Sequence, residues 1–501
     1  MNLTDYSRYD AFGLAELVRR GETTARELAG LAIDAVAKVN PAINAIIETF
    51  DDVAEDPLRD GMNARGPFAG VPIFIKDLAS RAAGRCQSGG MEAWADTVAV
   101  EDDPLISNMR VAGLNVLGRS TCSEQGITFL TWTRRFGVTR NPWDLDYTCG
   151  GSSGGSGALV AAGITPIAGA NDGGGSTRCP AAWNGLVGLK PSRGLLPMPK
   201  GLSEAIMPNG VEGILTRTVR DHALAYDFLA RRPLGSTFMP MPESPETYLA
   251  QVYAAPAPRF RIGVSTGSWG GHAPHPELVA ATEAIATLLE SLGHDIVPVD
   301  DSQICDFEAL LDSFFTWNWL PRRSWGIEML ARARGVALNE ETLSRIGLKH
   351  VEAARRFSPE ETYQAQLQND HVTRQWGAFF GGVDLLLAPA VGILCPRAEA
   401  EPYSTFSTLT LDEWVWNLLR SVPYTVAGNA TGLPAIALPA GLDSNALPMG
   451  IQIYAPWACE PRLFNIAAQI EQARPDLFNR RPPVHVDAPA DDGGHDDRNA
   501  A

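Results

Sequence analysis

Two stretches decide the reading of this chain: Cys149-Gly150-Gly151-Ser152-Ser153-Gly154-Gly155-Ser156-Gly157, and then Asn171-Asp172-Gly173-Gly174-Gly175-Ser176-Thr177-Arg178. Glycine costs backbone entropy on folding, so such a density belongs where the chain takes unusual dihedrals or must approach a ligand closely. Three chemistries compete for these loops. A phosphate-binding loop ends in Lys followed by Ser or Thr. The first loop runs on as Gly157-Ala158-Leu159 and the second as Ser176-Thr177-Arg178, so that lysine is missing from both. A nucleophile elbow, Gly-x-Ser-x-Gly, is matched by residues 151–155 with Ser153 at its centre, and needs an acid and then a histidine further on. His222, His272, His275, His294, His350 and His371 leave it formally open, although a glycine-rich repeat meets this pattern easily.

The third chemistry is a serine activated by something other than histidine. Residues 51–220 contain no histidine, so the segment with the candidate serines supplies no imidazole. It supplies Lys76, in Phe68-Ala69-Gly70-Val71-Pro72-Ile73-Phe74-Ile75-Lys76-Asp77. A lysine just past a run of Val, Ile and Phe is placed to be desolvated, which disfavours the ammonium and makes the amine a usable base near neutral pH. A surface lysine ending an edge strand is the plainer alternative, and composition alone does not separate the two.

Working outward, residues 66–194 alternate short apolar runs (71–75, 114–117, 159–167) with Gly/Ser-rich turns. That alternation is typical of an α/β core whose strand ends carry the working loops. Residues 1–65 read as a helical lead-in packed outside the main body. Residues 11–20 form a helix stopping at Gly21, and Thr24-Ala25-Arg26-Glu27 has the form of a capping box opening a second, expected to end before Asn40-Pro41. Pro256-Ala257-Pro258 looks like a connector. After it, residues 260–264, 276–292 and 294–299 read as strand, helix and strand, a βαβ unit. Residues 306–380 are mostly helical, with aromatics at Phe314, Phe315, Trp317 and Trp319, and 383–387 reads as a buried strand. The Asp-, Ala- and Gly-rich tail, residues 484–501, is expected to be disordered.

Whole-chain numbers bound the function. The 501 residues carry 58 acidic and 41 basic side chains, a formal net charge of −17. A nucleic-acid binder usually has the opposite excess, because phosphate neutralisation dominates its affinity. The seven cysteines are an odd count without metal-ligand spacing, which fits reduced thiols in a cytosol. No segment offers the roughly 20 continuous apolar residues of a membrane span, and the start lacks a signal-peptide pattern. These readings point to a cytoplasmic protein with neither nucleic-acid nor membrane partners.

Taken together, the motifs resemble the amidase signature family. Residues 70–77 match its Gly-Val-Pro-x-x-x-Lys-Asp segment, residues 150–156 its Gly-Gly-Ser-Ser-Gly-Gly-Ser loop, and residues 172–181 its Asp-x-Gly-Gly-Ser-x-Arg-x-Pro-Ala segment. Gly185-Leu186-Val187-Gly188-Leu189-Lys190-Pro191-Ser192, Asn141-Pro142-Trp143, Asn429-Ala430-Thr431-Gly432-Leu433-Pro434-Ala435 and Leu447-Pro448-Met449-Gly450-Ile451-Gln452 continue the likeness in the right order. The resemblance implies an α/β fold with a large mixed sheet flanked by helices on both faces, spanning residues 66–483. It also implies an amidohydrolase in which Ser176 is the nucleophile and Ser152, on a cis peptide bond, bridges it to Lys76. The amides of Gly173, Gly174, Gly175 and Ser176 would form the oxyanion hole. Asp172 and Arg178 would pair and support the loop, since buried charges generally need partners.

Two departures from the family pattern bear on the pocket. A Thr usual before Gly-Gly-Ser is Gly173 here, and the frequent Gly-Lys-Thr-Asn segment reads Gly118-Arg119-Ser120-Thr121. Within the family, Asn171-Asp172 and residues 137–143 look most like aminohexanoate cyclic-dimer hydrolases. The expected substrate is thus a small, largely uncharged linear or cyclic amide, bound without metal or organic cofactor, and a homodimer stays open. Trp132, Phe314 and Trp317 lead the candidates for pocket walls, followed by Phe315, Trp319, Trp414 and Trp416; plain core packing is the commoner fate of such residues. Cys122, Cys149 and Cys179 read as buried, inert thiols. Two other functions are kept: the amidase subunit of a glutamyl-tRNA amidotransferase, and a catalytically silent binding protein.

Overall fold

Eleven short runs pair into one mixed sheet in the computed structural model, which describes residues 1–203, 206–233, 235–236 and 246–488. In chain order the strands are β1 (Ile46–Thr49), β2 (Pro72–Lys76), β3 (Asn115–Ser120), β4 (Ile167–Asp172), β5 (Val187–Lys190) and β6 (Val211–Thr216). They continue with β7 (Arg261–Val264), β8 (Asp295–Pro298), β9 (Leu385–Pro389), β10 (Ala435–Leu442) and β11 (Pro448–Tyr454). Across the sheet the order is β1-β3-β2-β4-β6-β5-β10-β11-β9-β7-β8. β2 runs parallel to β3 and β4, and β7 parallel to β8 and β9. The pairings from β4 through β6, β5, β10 and β11 to β9 are antiparallel.

β2, β3, β6, β9 and β11 are buried at every position, so they read as continuous runs rather than alternating ones. A strand enclosed at every residue is covered on both faces, and helices supply the cover: Arg178–Asn184 and Pro276–Ser291 both pack on β11. The α/β reading therefore holds, as does the βαβ unit formed by β7, Pro276–Ser291 and β8.

The lead-in differs from its sequence reading in two places. The capping box forms, with the Glu27 amide on Thr24 Oγ1 at 3.2 Å and the Thr24 amide on Glu27 Oε2 at 2.8 Å. Yet that helix, Ala25–Ile43, continues through Pro41. A proline this near the end forfeits only one ladder bond. The Asn40 side chain ties the exit by accepting the Ala45 and Ile46 amides at 2.7 and 2.9 Å. The lead-in is also not wholly helical: β1 joins the sheet antiparallel to β3, a strand too short for its periodicity to show. The run 159–167 proves to be two elements, the end of the helix Gly154–Ala161 and the start of β4.

The tail boundary moves as well. The Val484 and Val486 amides donate to Pro142 and Ala162 carbonyls at 3.1 and 2.9 Å. Lys38 Nζ reaches the Val486 and Ala488 carbonyls, and Val486 is fully buried. Residues 484–488 thus belong to the body, while 489–501 lie outside the described residues. Residues 307–379 are mostly helical as read, with loops at 335–344 and 355–358 and a π-helical turn, Phe314–Trp319, between the helices Phe307–Ser313 and Leu320–Arg334. Among the described residues, no helix is long and apolar enough to cross a membrane.

Candidate active site

Lys76 is the last residue of β2, enclosed by the apolar strand that precedes it. Its carbonyl accepts a bond from Arg119 Nη1 at 3.2 Å. The next residue, Asp77, is pinned by the Ser88 hydroxyl and the Ser88 and Gly90 amides. The backbone around the lysine is therefore fixed, and its ammonium donates to Ser152 Oγ at 2.7 Å and to Asn171 Oδ1 at 2.7 Å. Burial pushes the Lys76 ammonium down to about 8, and the Arg323 charge pushes the same way against the anionic forms of Cys122 and Glu212.

Ser152 follows a cis Gly151–Ser152 peptide. The loop is closely approached on every side: a Cβ on Gly151 would stand 2.8 Å from the Phe129 backbone, and one on Gly126 would stand 2.9 Å from Ser152 Oγ. Ser153, the centre of the elbow pattern, is fully buried and donates its hydroxyl to the Asn171 carbonyl at 3.2 Å. An elbow serine has to stand exposed at the top of its turn. This one does not, and no histidine lines the cleft.

The second loop crosses beside the first, joined by the Ser153 amide on the Ser176 carbonyl at 3.2 Å. Asn209 Nδ2 holds the Gly173 carbonyl at 2.8 Å, and Thr425 Oγ1 holds the Gly174 carbonyl at 2.7 Å. Because a trans peptide points its N–H opposite its C=O, the second contact turns the Gly175 amide away from Thr425, onto Asp172 Oδ1 at 2.7 Å. The four-amide cradle expected from the sequence is therefore reduced to three. Among the described residues, the amides of Gly173, Gly174 and Ser176 have no protein acceptor, whereas that of Gly175 is occupied. Gly175 sits at φ +127°, where a Cβ would fall 2.4 Å from Thr425 Oγ1. Among the described residues, the Ser176 hydroxyl has no hydrogen-bond partner, Ser152 included, and Ser176 lines the cleft.

Asp172 and Arg178 form a fully buried, bidentate pair, with Nε to Oδ2 at 3.0 Å and Nη2 to Oδ1 at 3.1 Å. Burial alone would raise the Asp172 carboxyl, but the Arg178 charge and its hydrogen bonds overcome that and hold it well below the usual carboxylate range. The guanidinium also reaches Gln452 Oε1 at 3.1 Å and Asn429 Oδ1 at 2.7 Å. Both partners come from late segments already conspicuous in the sequence, although neither residue was singled out there. The pair holds the loop's shape from behind, and neither residue lines the cleft.

The cleft, its open mouth included, spans about 380 Å³ and is lined by Ile127, Phe129, Gly173, Ser176, Trp319 and Arg323, with Leu418, Val422 and Val426 also among its walls. Trp132 and Trp317 are not among its walls, contrary to the sequence reading. Trp132 packs on Phe406 with ring centroids 5.0 Å apart, and Trp317 is buried under Arg322, 5.4 Å from its guanidinium carbon. Phe314 is fully buried behind the loop, with Cζ 3.5 Å from where a Gly174 Cβ would stand. Of the aromatics proposed from the sequence, Trp319 reaches the cleft, on a different side of the helical segment from Trp317. Asn171, Asn209, Arg323 and Thr425 were not anticipated. Asn171 opens the second quoted stretch but was given no role at the lysine, and the other three lie far from the motifs in sequence and carried no signal.

The family model described as Amidase matches residues 27–464. The chain belongs to the amidase family. As an amidase it is an amidohydrolase that breaks a carbon–nitrogen bond and takes small amides as substrates. It is 36% identical over 486 residues to the putative amidase AmiC of Mycobacterium tuberculosis (strain ATCC 25618 / H37Rv), covering 93% of this chain and 94% of that one. It is 35% identical over 486 residues to the 6-aminohexanoate-cyclic-dimer hydrolase of Pseudomonas sp. (strain NK87), covering 94% and 96%. The solved structure of a 6-aminohexanoate cyclic dimer hydrolase superposes with a TM-score of 0.87 at 32% identity, covering 95% of this amidase and 99% of that chain.

Proposed function

We propose that this amidase cleaves small linear or cyclic amides through an acyl-enzyme on Ser176, with Ser152 and Lys76 as the proton relay. The observation that carries the reading is the 2.7 Å bond from the buried Lys76 amine to Ser152 Oγ, beside a loop with three unoccupied amides. The relay requires Ser176 Oγ to reach Ser152 by rotation about χ1 among its staggered wells. Neutral Lys76 then takes the Ser152 proton while Ser152 takes that of Ser176, whose oxygen adds to the amide carbonyl. The oxyanion forms against the amides of Gly173, Gly174 and Ser176, where loss of one donor typically costs about 10²–10³ in rate. As the C–N bond breaks, Ser152 passes a proton to the departing nitrogen and is resupplied by Lys76. The amine leaves neutral, because an amide anion is a very poor leaving group. Water then adds to the acyl-enzyme by the same relay, releasing the acid and restoring Ser176.

The apolar walls of Ile127, Phe129, Leu418, Val422 and Val426 suit a hydrocarbon chain beside the amide, and the relatives named as cyclic-dimer hydrolases favour a cyclic amide as one substrate. The test is a panel of linear, cyclic, aryl and peptide C-terminal amides given to the purified chain alone. Turnover is expected without companion proteins and without glutaminase activity, and it should vanish in Ser176→Ala and in Lys76→Ala. Near-normal hydrolysis by Lys76→Ala would overturn the relay.

A further inference from the structure

Arg323 is the one charged side chain among the residues that line the cleft. It stands one helical turn after Trp319, so both project to the same side, and its guanidinium carbon lies 6.0 Å from the Trp319 ring. One nitrogen, Nη1, donates to the Gln125 carbonyl. Nε is buried without an acceptor, and no described carboxylate lies within ion-pair distance of the group. Desolvation pushes Arg323 down only to about 10, so it is a cation at neutral pH. A desolvated charge is costly unless paired, and arginine is the side chain whose fork matches a carboxylate. The other charges nearby do not pair with it: Lys76 and His350 both feel Arg323 as a repelling neighbour.

The departure at Gly173 gives this cation its opening. A Cβ at that position would stand 3.4 Å from Arg323 Nη2, so the larger side chain of threonine would lie between the guanidinium and the oxyanion loop. With glycine there, the guanidinium borders the place where the scissile carbonyl must sit. We propose that Arg323 is a specificity-determining residue that receives a carboxylate carried by the substrate close to the scissile carbonyl. The preferred class is then amides bearing a carboxylate, such as a monoamide of a dicarboxylic acid or an N-acyl amino acid, rather than wholly uncharged ones. This deepens the relay reading and rests on it.

Two matched pairs test it, each comparing a carboxylate with a neutral group of similar size. They are glutaric acid monoanilide against pentananilide, with the charge on the acyl side, and N-butyryl-4-aminobutyrate against N-butyryl-butylamine, with the charge on the amine side. For the wild type, kcat/KM should favour the carboxylate in at least one pair by roughly 10- to 100-fold, the range expected of a charge-assisted bond. That ratio should fall to near unity in Arg323→Met, be partly kept in Arg323→Lys, and drop in Gly173→Thr. Ratios near unity in both pairs for the wild type, or a ratio unmoved by Arg323→Met, would overturn the proposal. Should Arg323→Met fail to fold, the wild-type ratios and Gly173→Thr still decide it. Ser176→Ala separates the two claims. If it abolishes hydrolysis while the wild-type ratios are near unity, only the specificity proposal fails; if it still hydrolyses these amides, the relay reading fails.

Discussion

The proposed relay makes a quantitative demand on pH, because in it Lys76 acts only when neutral. Its ammonium is pushed by burial from 10.5 to about 8. At pH 7 that raises the neutral fraction from about 0.03% to about 9%, roughly 300-fold. With the folded value near 8, the neutral fraction climbs about 50-fold between pH 6 and pH 8 and then levels off. kcat/KM should therefore rise almost tenfold per pH unit on the acid side and reach a plateau above about pH 9. A perturbation sharpens the test. Glu212 pairs across the sheet with Asn171 and shares with Lys76 a small pocket also lined by Ser80. Burial pushes its carboxyl up to about 8, so it ionises in the same range and, once ionised, holds the proton on Lys76. In Glu212→Gln that support is gone, and the midpoint should stay near 8 or move lower. The assay is kcat/KM for one anilide in overlapping buffers at constant ionic strength, for wild type, Glu212→Gln and Lys76→Ala. A rate independent of pH between 6 and 9 would refute the reasoning, as would a Glu212→Gln midpoint displaced upward or an ascending limb that survives in Lys76→Ala.

Three further outcomes follow from contacts elsewhere in the site. Gly126→Ala, whose Cβ would press within 2.9 Å of Ser152 Oγ and 2.8 Å of Leu78 at φ +67°, should lower kcat on the order of 10²-fold. Its far-ultraviolet circular dichroism should stay native. Asp172→Asn leaves the Arg178 guanidinium buried without its carboxylate and should lower unfolding free energy by about 3–5 kcal/mol in urea denaturation. Because the folded Asp172 carboxyl lies well below its unfolded value, the pair's stabilisation is fully present above the unfolded value and is lost as pH falls from there down through the folded one. The difference between wild type and Asp172→Asn should therefore shrink in acid. Finally, native thiol titration should modify the exposed Cys86 first, while Cys122, Cys149 and Cys179, whose thiols burial pushes up, react only on unfolding.

What could be read from the sequence was whatever is chemically local. Lys76 ends an apolar run that reads as a strand, with the motif rather than composition favouring an enclosed one, and Asp172 and Arg178 stand close enough in the chain to announce a pair. The contiguous glycine loops marked where backbone would come close to something. What could not be read depends on contacts made across hundreds of residues or on backbone geometry without a sequence period. Whether the Gly175 amide is free is set by Thr425 holding the neighbouring carbonyl and by Asp172 receiving the N–H. Trp317 and Trp319, two residues apart on a helical segment, face different sides, and which side meets the cleft is set by how the segment packs on the distant loops. Arg323 reaches the cleft from a helix in which no residue belongs to a motif. β1 and the helix carried through Pro41 escaped for a related reason: each is settled by a few tertiary hydrogen bonds rather than by local preference.

The central claim, that Ser176 attacks with Ser152 and Lys76 behind it, is tested most directly by covalent trapping. The purified protein is treated with a fluorophosphonate, and the modified residue is located by peptide mass spectrometry. The account predicts a single adduct on Ser176, absent in Ser176→Ala, retained in Ser153→Ala and formed far more slowly in Lys76→Ala. An adduct on Ser153, or labelling undiminished in Ser176→Ala, would contradict it.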